Sequence, residues 1–246
     1  MKMFGLIGFP LSHSLSKKYF DEKFKAENIE NCIFENFEIE NINALKNIVQ
    51  ENVFLQGFAV TIPYKQQIIP YLYFISDEVK QTNACNCVKI IDGKLYGYNT
   101  DLIGFEKSFI SLLQPHHTKA LLLGNGGAAQ AIKFCLKKLN IEFITVSRKA
   151  DEQNKIITYQ NIHQQLIQEY SIIINTTPLG TYPKIDEYPD IPYQYLTPQH
   201  YLFDVVYNPP LTKFLSLGKQ QNSIIKNGSD MLKIQAEENW KIWNTN

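Results

Sequence analysis

The chain has 246 residues and a formal net charge of zero, with 24 basic and 24 acidic side chains. This length allows one large α/β domain or two modest ones. Hydrophobic residues make up 44% and charged residues 20%, which is typical of globular proteins and excludes disordered and fibrous classes. There is no basic block that could neutralise many phosphates, so we expect no nucleic-acid partner. No apolar run approaches the roughly 20 residues that cross a bilayer, so we expect no membrane partner.

The N-terminus and the cysteines indicate a compartment. The opening stretch has a single lysine and a short apolar run that breaks at Gly8 and Pro10, which predicts a first strand and its turn rather than a secretory signal. The four cysteines contain no CxxC pair and are expected to be packed free thiols in a reducing compartment. The five histidines do not cluster with them in the sequence, so we expect no metal and a cytoplasmic location.

Apolar β-rich runs and helical patterns alternate through the N-terminal part of the chain. In chain order the sequence predicts a strand at 4–7, a helix at 17–26, a strand at 32–37, a helix at 41–49 and a strand at 57–62. Two further runs, 88–91 and 95–97, surround Asp92 and Gly93, a two-residue hairpin signal. An amphipathic helix is predicted at 101–113, with Pro115 just beyond its end.

After Pro115 the pattern restarts with a more regular alternation. The sequence predicts strands at 120–123, 141–146, 171–175 and 201–205, a helix at 128–139 and a final helix at 230–243. Near-continuous apolar strands that alternate with helices are typical of a parallel sheet covered on both faces. The proline-rich stretch 176–200 predicts a long surface connection. The chain is therefore predicted to be an α/β protein of two domains, with the boundary near 102–117.

A glycine turn joins a predicted strand to a predicted helix. Gly124, Gly126 and Ala129 have G-x-G-x-x-A spacing, in which the first glycine allows a tight turn, the second lets backbone approach a pyrophosphate, and the small third residue permits close packing of helix on strand. The amino end of the helix then offers N–H groups and partial positive charge to the anion. A plain glycine turn is the alternative. The context favours a dinucleotide site in a Rossmann-like domain.

The residues after the next strand indicate which dinucleotide binds. About 20 residues beyond such a glycine turn, NAD-binding domains place an acidic residue on the ribose 2′-hydroxyl. This chain has Ser147, Arg148 and Lys149 there, and Arg148 is its only arginine. An acid would repel a 2′-phosphate, whereas a guanidinium binds it in a bidentate fork. A solvated surface arginine is the alternative, but the pattern favours NADP as cofactor.

Three polar groupings in the N-terminal half are not explained by core packing. They are the serines of 14–16, the VTIPYK stretch at 60–65, and the NACN stretch at 83–86 together with GYNTD at 97–101. Taken singly, each has a structural explanation: the serines as helix caps, the lysine as a solvated charge, and Asp101 as the cap of the next helix.

Together these groupings resemble the shikimate dehydrogenase family. The ordered matches cover nearly the whole chain: GxPLxHSxS at 8–16, VTIPYK at 60–65, GYNTD at 97–101, GNGGAA at 124–129, NTTPLG at 175–180, DVVYNPPLTxFL at 204–215 and NGxxMLxxQA at 227–236. The resemblance implies an N-terminal α/β substrate domain, 1–102, against which the C-terminal helix, 230–246, packs back. It also implies a Rossmann-like NADP-binding domain at 103–229. The implied reaction is NADPH-dependent reduction of 3-dehydroshikimate to shikimate, in aromatic amino-acid biosynthesis.

The resemblance also implies roles for individual residues. Lys65 and Asp101 would be the catalytic pair, because a lysine ammonium beside a carbonyl can protonate the alkoxide that hydride transfer leaves. The substrate's carboxylate and hydroxyls would be held by Ser14, Ser16, Thr61, Asn86, Asp101, Tyr207 and Gln235. The cofactor would be lined by Gly124, Asn125, Gly126, Gly127, Ala128, Ser147, Arg148, Lys149, Asn175, Thr176, Val205 and Gly228.

Three positions depart from the family's usual pattern. Ala59 stands where the family usually has asparagine, Asp230 where it commonly has glycine, and cysteines flank Asn86. Ala59 bears on the substrate more than on the reaction class, so a quinate/shikimate dehydrogenase or a related ring-acid dehydrogenase stays an alternative. A non-catalytic nucleotide-binding module is an alternative from another class, and loss of the Lys65–Asp101 pair would mark it. The partner is expected to be a small-molecule substrate, with the chain a monomer or homodimer.

Overall fold

The computed structural model describes residues 1–12 and 14–245. His13, inside the motif at 8–16, and Asn246, the last residue of the predicted C-terminal segment, lie outside the described residues. The chain divides into two compact units, which we call unit 1 (Met1–Asp101 with Gln235–Asn246) and unit 2 (Leu102–Ile234). Within the described part of the chain, no helix is both long enough and apolar enough to cross a membrane.

Unit 1 contains a six-stranded mixed sheet. Its strands are β1 (Lys2–Gly8), β2 (Cys32–Glu38), β3 (Leu55–Val60), β4 (Phe74–Ile75), β5 (Cys87–Ile91) and β6 (Lys94–Tyr98), and its helices are α1 (Ser16–Ala26), α2 (Leu45–Glu51) and α3 (Asp77–Thr82). The spatial order is β2-β1-β3-β5-β6-β4. β1 runs parallel to β2 and β3, whereas β5 runs antiparallel to β3 and β6.

Unit 2 contains a six-stranded sheet in which every pairing is parallel. Its strands are β7 (Lys119–Leu123), β8 (Glu142–Val146), β9 (Ile156–Ile157), β10 (Ile172–Asn175), β11 (Tyr201–Asp204) and β12 (Ile224–Lys226). The helices, numbered in chain order, are α4 (Asp101–Ile110), α5 (Gly127–Lys138), α6 (Gln164–Glu169), α7 (Lys213–Gln220) and α8 (Ser229–Asn244). The division between the units falls at the start of α4 and inside α8.

The strand order of unit 2 is β12-β11-β10-β7-β8-β9. The chain therefore moves outward from β7 to β9 and then returns to continue on the other side from β10 to β12. Ligands of such sheets bind at the carboxyl ends of the strands, beside the point where the order reverses. Leu121 and Leu122 are fully buried in separate apolar clusters, as expected for a sheet covered on both faces. The predicted two-domain α/β fold, with one Rossmann-like domain, is confirmed.

An aromatic cluster explains why the end of the chain belongs to unit 1. The rings of Phe4 and Trp243 stack with centroids 5.0 Å apart, and those of Phe20 and Phe34 stack at 4.5 Å. The indole N–H of Trp243 donates to the backbone oxygen of Val88 at 2.9 Å, so its polar atom is satisfied in the interior. The C-terminal part of α8 thereby completes the apolar core of unit 1.

Several predicted elements have different limits in the structure, and the helix predicted at 101–113 ends at Ile110. The strand predicted at 57–62 ends at Val60, and Thr61 and Ile62 belong to the following turn. The helix predicted at 41–49 begins as a 3-10 helix at Ile42–Ala44 before α2, because the Asn41 side chain accepts the backbone N–H of Asn43 and tightens the first turn.

Candidate functional site

The predicted substrate residues of unit 1 lie at one edge of its sheet. β1 and β3 are parallel neighbours, so the loops that follow them begin at the same edge. The backbone N–H of Thr61 donates to the oxygen of Ile7 at 2.9 Å, and that of Phe9 to the oxygen of Ile62 at 3.0 Å. These bonds hold the turn that contains Thr61 against the loop that leads to Ser14 and Ser16.

Antiparallel pairing brings two more segments to this edge. The backbone N–H of Val60 donates to the oxygen of Asn86 at 2.9 Å, and that of Asn86 donates to the oxygen of Tyr98 at 3.1 Å. Asn86 thus lies directly before β5 and beside the carboxyl ends of β3 and β6. Asp101, which begins α4, follows β6 by a short turn. The sheet therefore brings together segments that are far apart in sequence.

Lys65 and Asp101 form an ion pair, with Nζ 2.6 Å from Oδ2. Their side chains are only 18% and 10% exposed, so each charge is balanced mainly by the other. The turn that carries Lys65 is fixed by Tyr64, whose buried hydroxyl donates to the Ile39 oxygen at 2.5 Å. A further backbone bond joins the Cys85 N–H to the Lys65 oxygen at 2.7 Å. The ammonium is thus held in one direction by rigid surroundings.

The two serines lie at the start of α1. Ser16 is its first residue and is 9% exposed, whereas Ser14 is half-buried in the preceding loop. The Ser14 hydroxyl oxygen accepts the backbone N–H of Ser16 at 3.3 Å, so it satisfies one of the free donors of the helix end. Ser14 therefore has the capping contact that the sequence offered as the alternative to substrate binding, and its predicted substrate role stays a prediction.

Four side chains form a hydrogen-bond network beside Asp101. Asn86 donates from Nδ2 to the Thr100 hydroxyl at 3.0 Å, and Thr100 donates from its hydroxyl to Asn239 Oδ1 at 2.6 Å. Gln235 Oε1 accepts from Asn239 Nδ2 at 3.2 Å and from Asn86 Nδ2 at 3.5 Å. Sequence reasoning identified Asn86 and Gln235 but missed the two residues that join them, because Asn239 has no motif around it.

The glycine turn of unit 2 has the geometry that a dinucleotide needs. Gly124 has a φ of +108°, and a Cβ there would lie 2.5 Å from the Thr176 hydroxyl, so only glycine fits. The space beside Gly126 is open, since a Cβ there would meet nothing within 4 Å. α5 begins after Gly126, a residue with no side chain to cap it, and among the described residues no side chain accepts from its first N–H groups. An anion at this helix end fits both observations.

Asn125 is held by two donors from α5. Its Oδ1 accepts from Lys133 Nζ at 2.6 Å and from Gln130 Nε2 at 3.3 Å. Burial lowers the pKa of Lys133, and the charge of Lys137 lowers it further. Sequence reasoning missed Lys133, whose side chain reaches back from the second turn of the helix.

The segment after β10 packs against the glycine turn. The Thr176 N–H and hydroxyl both donate to the Leu123 oxygen at 2.8 Å. Asn175, by contrast, is fully buried: its Nδ2 donates to Asp204 at 2.9 Å, and its Oδ1 accepts from the N–H and hydroxyl of Thr177. The structure therefore places the Asn175 side chain inside unit 2, where it shapes the turn that carries Thr176.

Asp204 is a buried carboxylate that the sequence reasoning did not single out. Its Oδ1 also accepts the Val206 N–H at 3.0 Å, and its Oδ2 accepts the Thr212 hydroxyl at 2.6 Å. Burial raises its pKa to about 6, although these hydrogen bonds and that from Asn175 act in the opposite direction.

The residues predicted to bind the 2′-phosphate follow β8. The Ser147 N–H donates to the Ile157 oxygen at 2.9 Å, which places the segment at the carboxyl edge of the sheet. Arg148 and Lys149 are exposed, and within residues 1–12 and 14–245 neither has an acidic side chain within ion-pair distance. The Arg148 charge lies near Tyr159, where it opposes the rise in pKa that burial causes. An exposed guanidinium without an acid suits an anionic ligand.

Val205 and Gly228 lie side by side. A Cβ at Gly228 would be 2.2 Å from the Val205 oxygen, so the approach of the two backbones requires glycine. The Val205 N–H donates to the Asn175 oxygen at 3.0 Å, and the Gly228 N–H to the Val206 oxygen at 3.2 Å. Tyr207 follows in the same loop of unit 2. The glycine turn and these residues share the carboxyl edge of one sheet.

Comparisons with known proteins agree with this arrangement. Residues 6–88 match the family profile described as the shikimate dehydrogenase substrate binding domain. A shikimate dehydrogenase (NADP(+)) from Clostridium beijerinckii is 41% identical and covers 99% of this chain and 92% of its own. The solved shikimate dehydrogenase of Aquifex aeolicus has a TM-score of 0.88 at 32% identity over 99% of this chain and 92% of that one. The Thermus thermophilus enzyme, solved with NADP(H) and shikimate, has a TM-score of 0.87 at 25% identity over 99% and 94%.

A Rossmann-like unit with a glycine turn at its switch point, joined to a second α/β unit with a shielded lysine–aspartate pair, defines the class of two-domain dehydrogenases. Within that class, the chain belongs to the shikimate dehydrogenase family, because the Clostridium relative is 41% identical over nearly the full length of both chains. The resemblance that the motifs indicated is thus confirmed.

Proposed function

We propose that this protein is an NADP-dependent oxidoreductase that interconverts 3-dehydroshikimate and shikimate reversibly. The observation that carries the proposal is the shielded Lys65–Asp101 ion pair at the sheet edge of unit 1, where Nζ and Oδ2 are 2.6 Å apart. Membership of the family supports the reaction and the cofactor, since relatives are named for both. Unit 1 would hold the substrate and unit 2 the cofactor. The free thiols of the four cysteines favour the cytoplasm, a reducing compartment.

Lys65 would act at the reacting oxygen. Bound NADPH supplies the hydride that reduces the ketone carbon. The Lys65 ammonium would stabilise the negative charge that develops on the oxygen and transfer a proton to it, and in the reverse direction the amine would accept that proton. Asp101 would hold the ammonium in place through their hydrogen bond. Both carboxylate and ammonium therefore serve one proton transfer.

The other polar residues of unit 1 would recognise the ring substituents. Ser14, Ser16, Thr61, Asn86 and Gln235 supply hydroxyl and carboxamide groups suited to a substrate with hydroxyls and a carboxylate. The family resemblance implies a substrate role for Tyr207 as well, which lies in unit 2. A site built to hydrogen-bond a hydroxyl strongly rejects an analogue that lacks it, because its own polar groups are then left unpaired. This chemistry favours a polyhydroxylated ring acid over an apolar substrate.

The cofactor would be bound at the carboxyl edge of unit 2. The open space at Gly126 and the uncapped start of α5 suit the pyrophosphate. The exposed guanidinium of Arg148, with Ser147 and Lys149 beside it, suits the 2′-phosphate. Thr176, Val205 and Gly228 would continue the lining, with Asn175 as a support from within.

The test measures wild type with shikimate and with quinate, each with NADP⁺ and with NAD⁺, by absorbance of the reduced nicotinamide. Fastest turnover with shikimate and NADP⁺ supports the proposal, and turnover with none of the pairs would defeat it. Arg148→Ala should weaken NADP⁺ about tenfold or more and NAD⁺ little, since one charge-assisted fork is lost. Lys184→Ala, an exposed lysine of the same unit, is the matched control. Equal weakening of both cofactors by Arg148→Ala would remove the 2′-phosphate role.

One observation favours a second substrate. Ala59, where the family usually has asparagine, is 6% exposed and packs in the apolar cluster that contains Phe4 and Trp243, and its methyl group offers no hydrogen bond. A site with one fewer polar contact discriminates less between shikimate and quinate. Comparable turnover of the two acids in the same panel would identify a quinate/shikimate dehydrogenase.

A further inference from the structure

The network beside Asp101 contains one group that can act only as a donor, a backbone N–H. The Thr100 backbone N–H can only donate, and it lies 2.7 Å from the carboxamide of Asn86. The Asn86 atom there must therefore be the oxygen. The other end of the same carboxamide, its NH₂ group, must then face the Thr100 hydroxyl at 3.0 Å and Gln235 at 3.5 Å.

The orientation of the Asn86 carboxamide determines which atoms donate and which accept in the next residues of the network. The Thr100 hydroxyl accepts from Asn86 and has a single proton to give, which goes to Asn239 Oδ1 at 2.6 Å, a shorter contact than the 3.2 Å to Asn86 Oδ1. Asn239 therefore points its NH₂ group at Gln235. Asn86, Thr100 and Asn239 are only 3%, 1% and 1% exposed, so bulk water cannot replace a missing partner.

The chain of donors ends by orienting Gln235. Two NH₂ groups, from Asn239 and Asn86, point at its carboxamide, so the atom that they meet must be Oε1. If the carboxamide were reversed, three NH₂ groups would face one another with no acceptor among them. The nitrogen of Gln235 is thereby turned away from the network.

We propose that Asn239 is a positioning residue, which acts through Thr100 and Gln235 to make Gln235 a hydrogen-bond donor in substrate recognition. The substrate group that Gln235 addresses is then an acceptor oxygen, of a hydroxyl or a carboxylate. This inference rests on the proposed function, in which Gln235 contacts the ring acid. The inference adds that a buried residue, Asn239, determines whether Gln235 donates or accepts in that contact.

The test replaces Asn239 by aspartate. Asn239→Asp keeps the acceptor for Thr100 but puts an oxygen where the NH₂ group was, so the Gln235 carboxamide reverses and presents its oxygen outward. The KM for shikimate is expected to rise about tenfold or more, the usual scale for a lost hydrogen bond to a ligand, with kcat changed less than about twofold. The Kd of NADPH, measured by its fluorescence, should not change. Asn244→Asp, the same substitution at an exposed position of α8, is the matched control.

Two further variants separate positioning from a merely structural role. Thr100→Val keeps the shape and the backbone N–H but removes the hydroxyl link, so the KM should also rise, without any buried charge that could impair folding. In Asn239→Asp combined with Gln235→Met, the two effects on KM should not add, because the effect of Asn239→Asp acts through the Gln235 carboxamide, which methionine lacks. Three results would overturn the proposal. They are additive effects on KM in the double variant, a wild-type KM in both Asn239→Asp and Thr100→Val, and losses of kcat and NADPH binding as large as the rise in KM. If wild type itself fails to oxidise shikimate, the proposed function fails and the inference with it.

Discussion

Lys65 and Asp101 are coupled by burial as much as by charge. Their side chains are 18% and 10% exposed, so neither ion is well hydrated. Because desolvation offsets much of the attraction between them, the main effect of the pair is to fix the direction of the ammonium. The backbone of the turn that carries Lys65 is held by the Tyr64 hydroxyl, which donates to the Ile39 oxygen, and by the Cys85 N–H, which donates to the Lys65 oxygen. In the proposed reaction, an ammonium held in this way would need no reorganisation when charge develops on the substrate.

Lys65→Met tests the proposed proton transfer directly. The substitution keeps an unbranched apolar side chain but removes the ammonium, so kcat should fall by about 10²–10⁴ while NADPH binding is retained. Steady-state kinetics and NADPH fluorescence measure the two quantities. Lys80→Met, an exposed lysine of unit 1, is the control and should keep wild-type turnover. A Lys65→Met enzyme with wild-type kcat would exclude Lys65 from proton transfer.

Residues of the site differ in how far sequence alone could identify them. The tight turn at Gly124 was predictable, because a glycine between a strand and a helix is a local pattern, and its positive φ is seen in the structure. The role of Arg148 stays a prediction from the same local spacing. Asn239 and Asp204 were not predictable, because a buried carboxamide or carboxylate on a regular element has no local pattern. Thr100 and Asn239 are 139 positions apart, so only the folded chain brings them together.

Asp204 joins three elements of unit 2 through a single carboxylate. It accepts hydrogen bonds from Asn175 at the end of β10, from Val206 after β11, and from Thr212, which itself caps α7 by accepting the Leu215 N–H at 3.3 Å. The carboxylate thus fixes the edge where the glycine turn and the segment of Thr176 meet. Its burial is the cost of that rigidity.

Asp204→Asn should change how stability depends on pH. Burial raises the folded-state pKa from 3.8 to about 6, so the folded state binds this proton more tightly than the unfolded one. The stability that Asp204 contributes is therefore full below the unfolded value and is lost as the pH rises through about 6. Asparagine carries no such charge. Relative to wild type, the free energy of unfolding of the variant should rise by about 2–3 kcal/mol between about pH 4 and pH 7.

Urea unfolding of wild type and variant at several pH values measures this difference. Asp186→Asn, an exposed aspartate of the same unit, is the control for removal of one carboxylate. A difference for Asp204→Asn that does not change with pH would mean that its carboxyl is not perturbed by burial.

Most of the elements that sequence patterns missed are short. α3 and α6 have six residues each, which is less than two helical turns, and β4, β9 and β12 have only two or three, too few for a clear strand alternation. The eight-residue helix α7 was missed as well. The central strands β7 and β10 were predictable, because their apolar runs are covered on both faces. Thr61 was predicted to lie inside a strand at 57–62, but β3 stops at Val60, where the turn that presents Lys65 begins.

Unit 1 is formed by two segments that are far apart in the chain. Periodicity predicted the final helix but not that α8 would divide between the units after Ile234. The division follows from the aromatic cluster, in which Trp240 and Trp243 pack with Phe4 and Phe20. Such long-range packing cannot be derived from a local pattern. The same segment carries Gln235 and Asn239, so the end of the chain completes both the core and the candidate substrate site of unit 1.

The assignment of one ligand to each unit predicts a pattern of hydrogen exchange. A ligand at about 100 times its Kd stabilises the state that it binds by about 2.7 kcal/mol, which slows exchange through local opening about 100-fold. NADP⁺ alone should slow backbone amides at 124–128 and 147–149, and shikimate alone those at 60–65 and 99–101. Mass spectrometry of peptides resolves the four segments. In Arg148→Ala the NADP⁺ effect should require a higher concentration while the shikimate effect stays the same. Protection by NADP⁺ confined to unit 1 would reverse the assignment, because the glycine turn and Arg148 belong to unit 2.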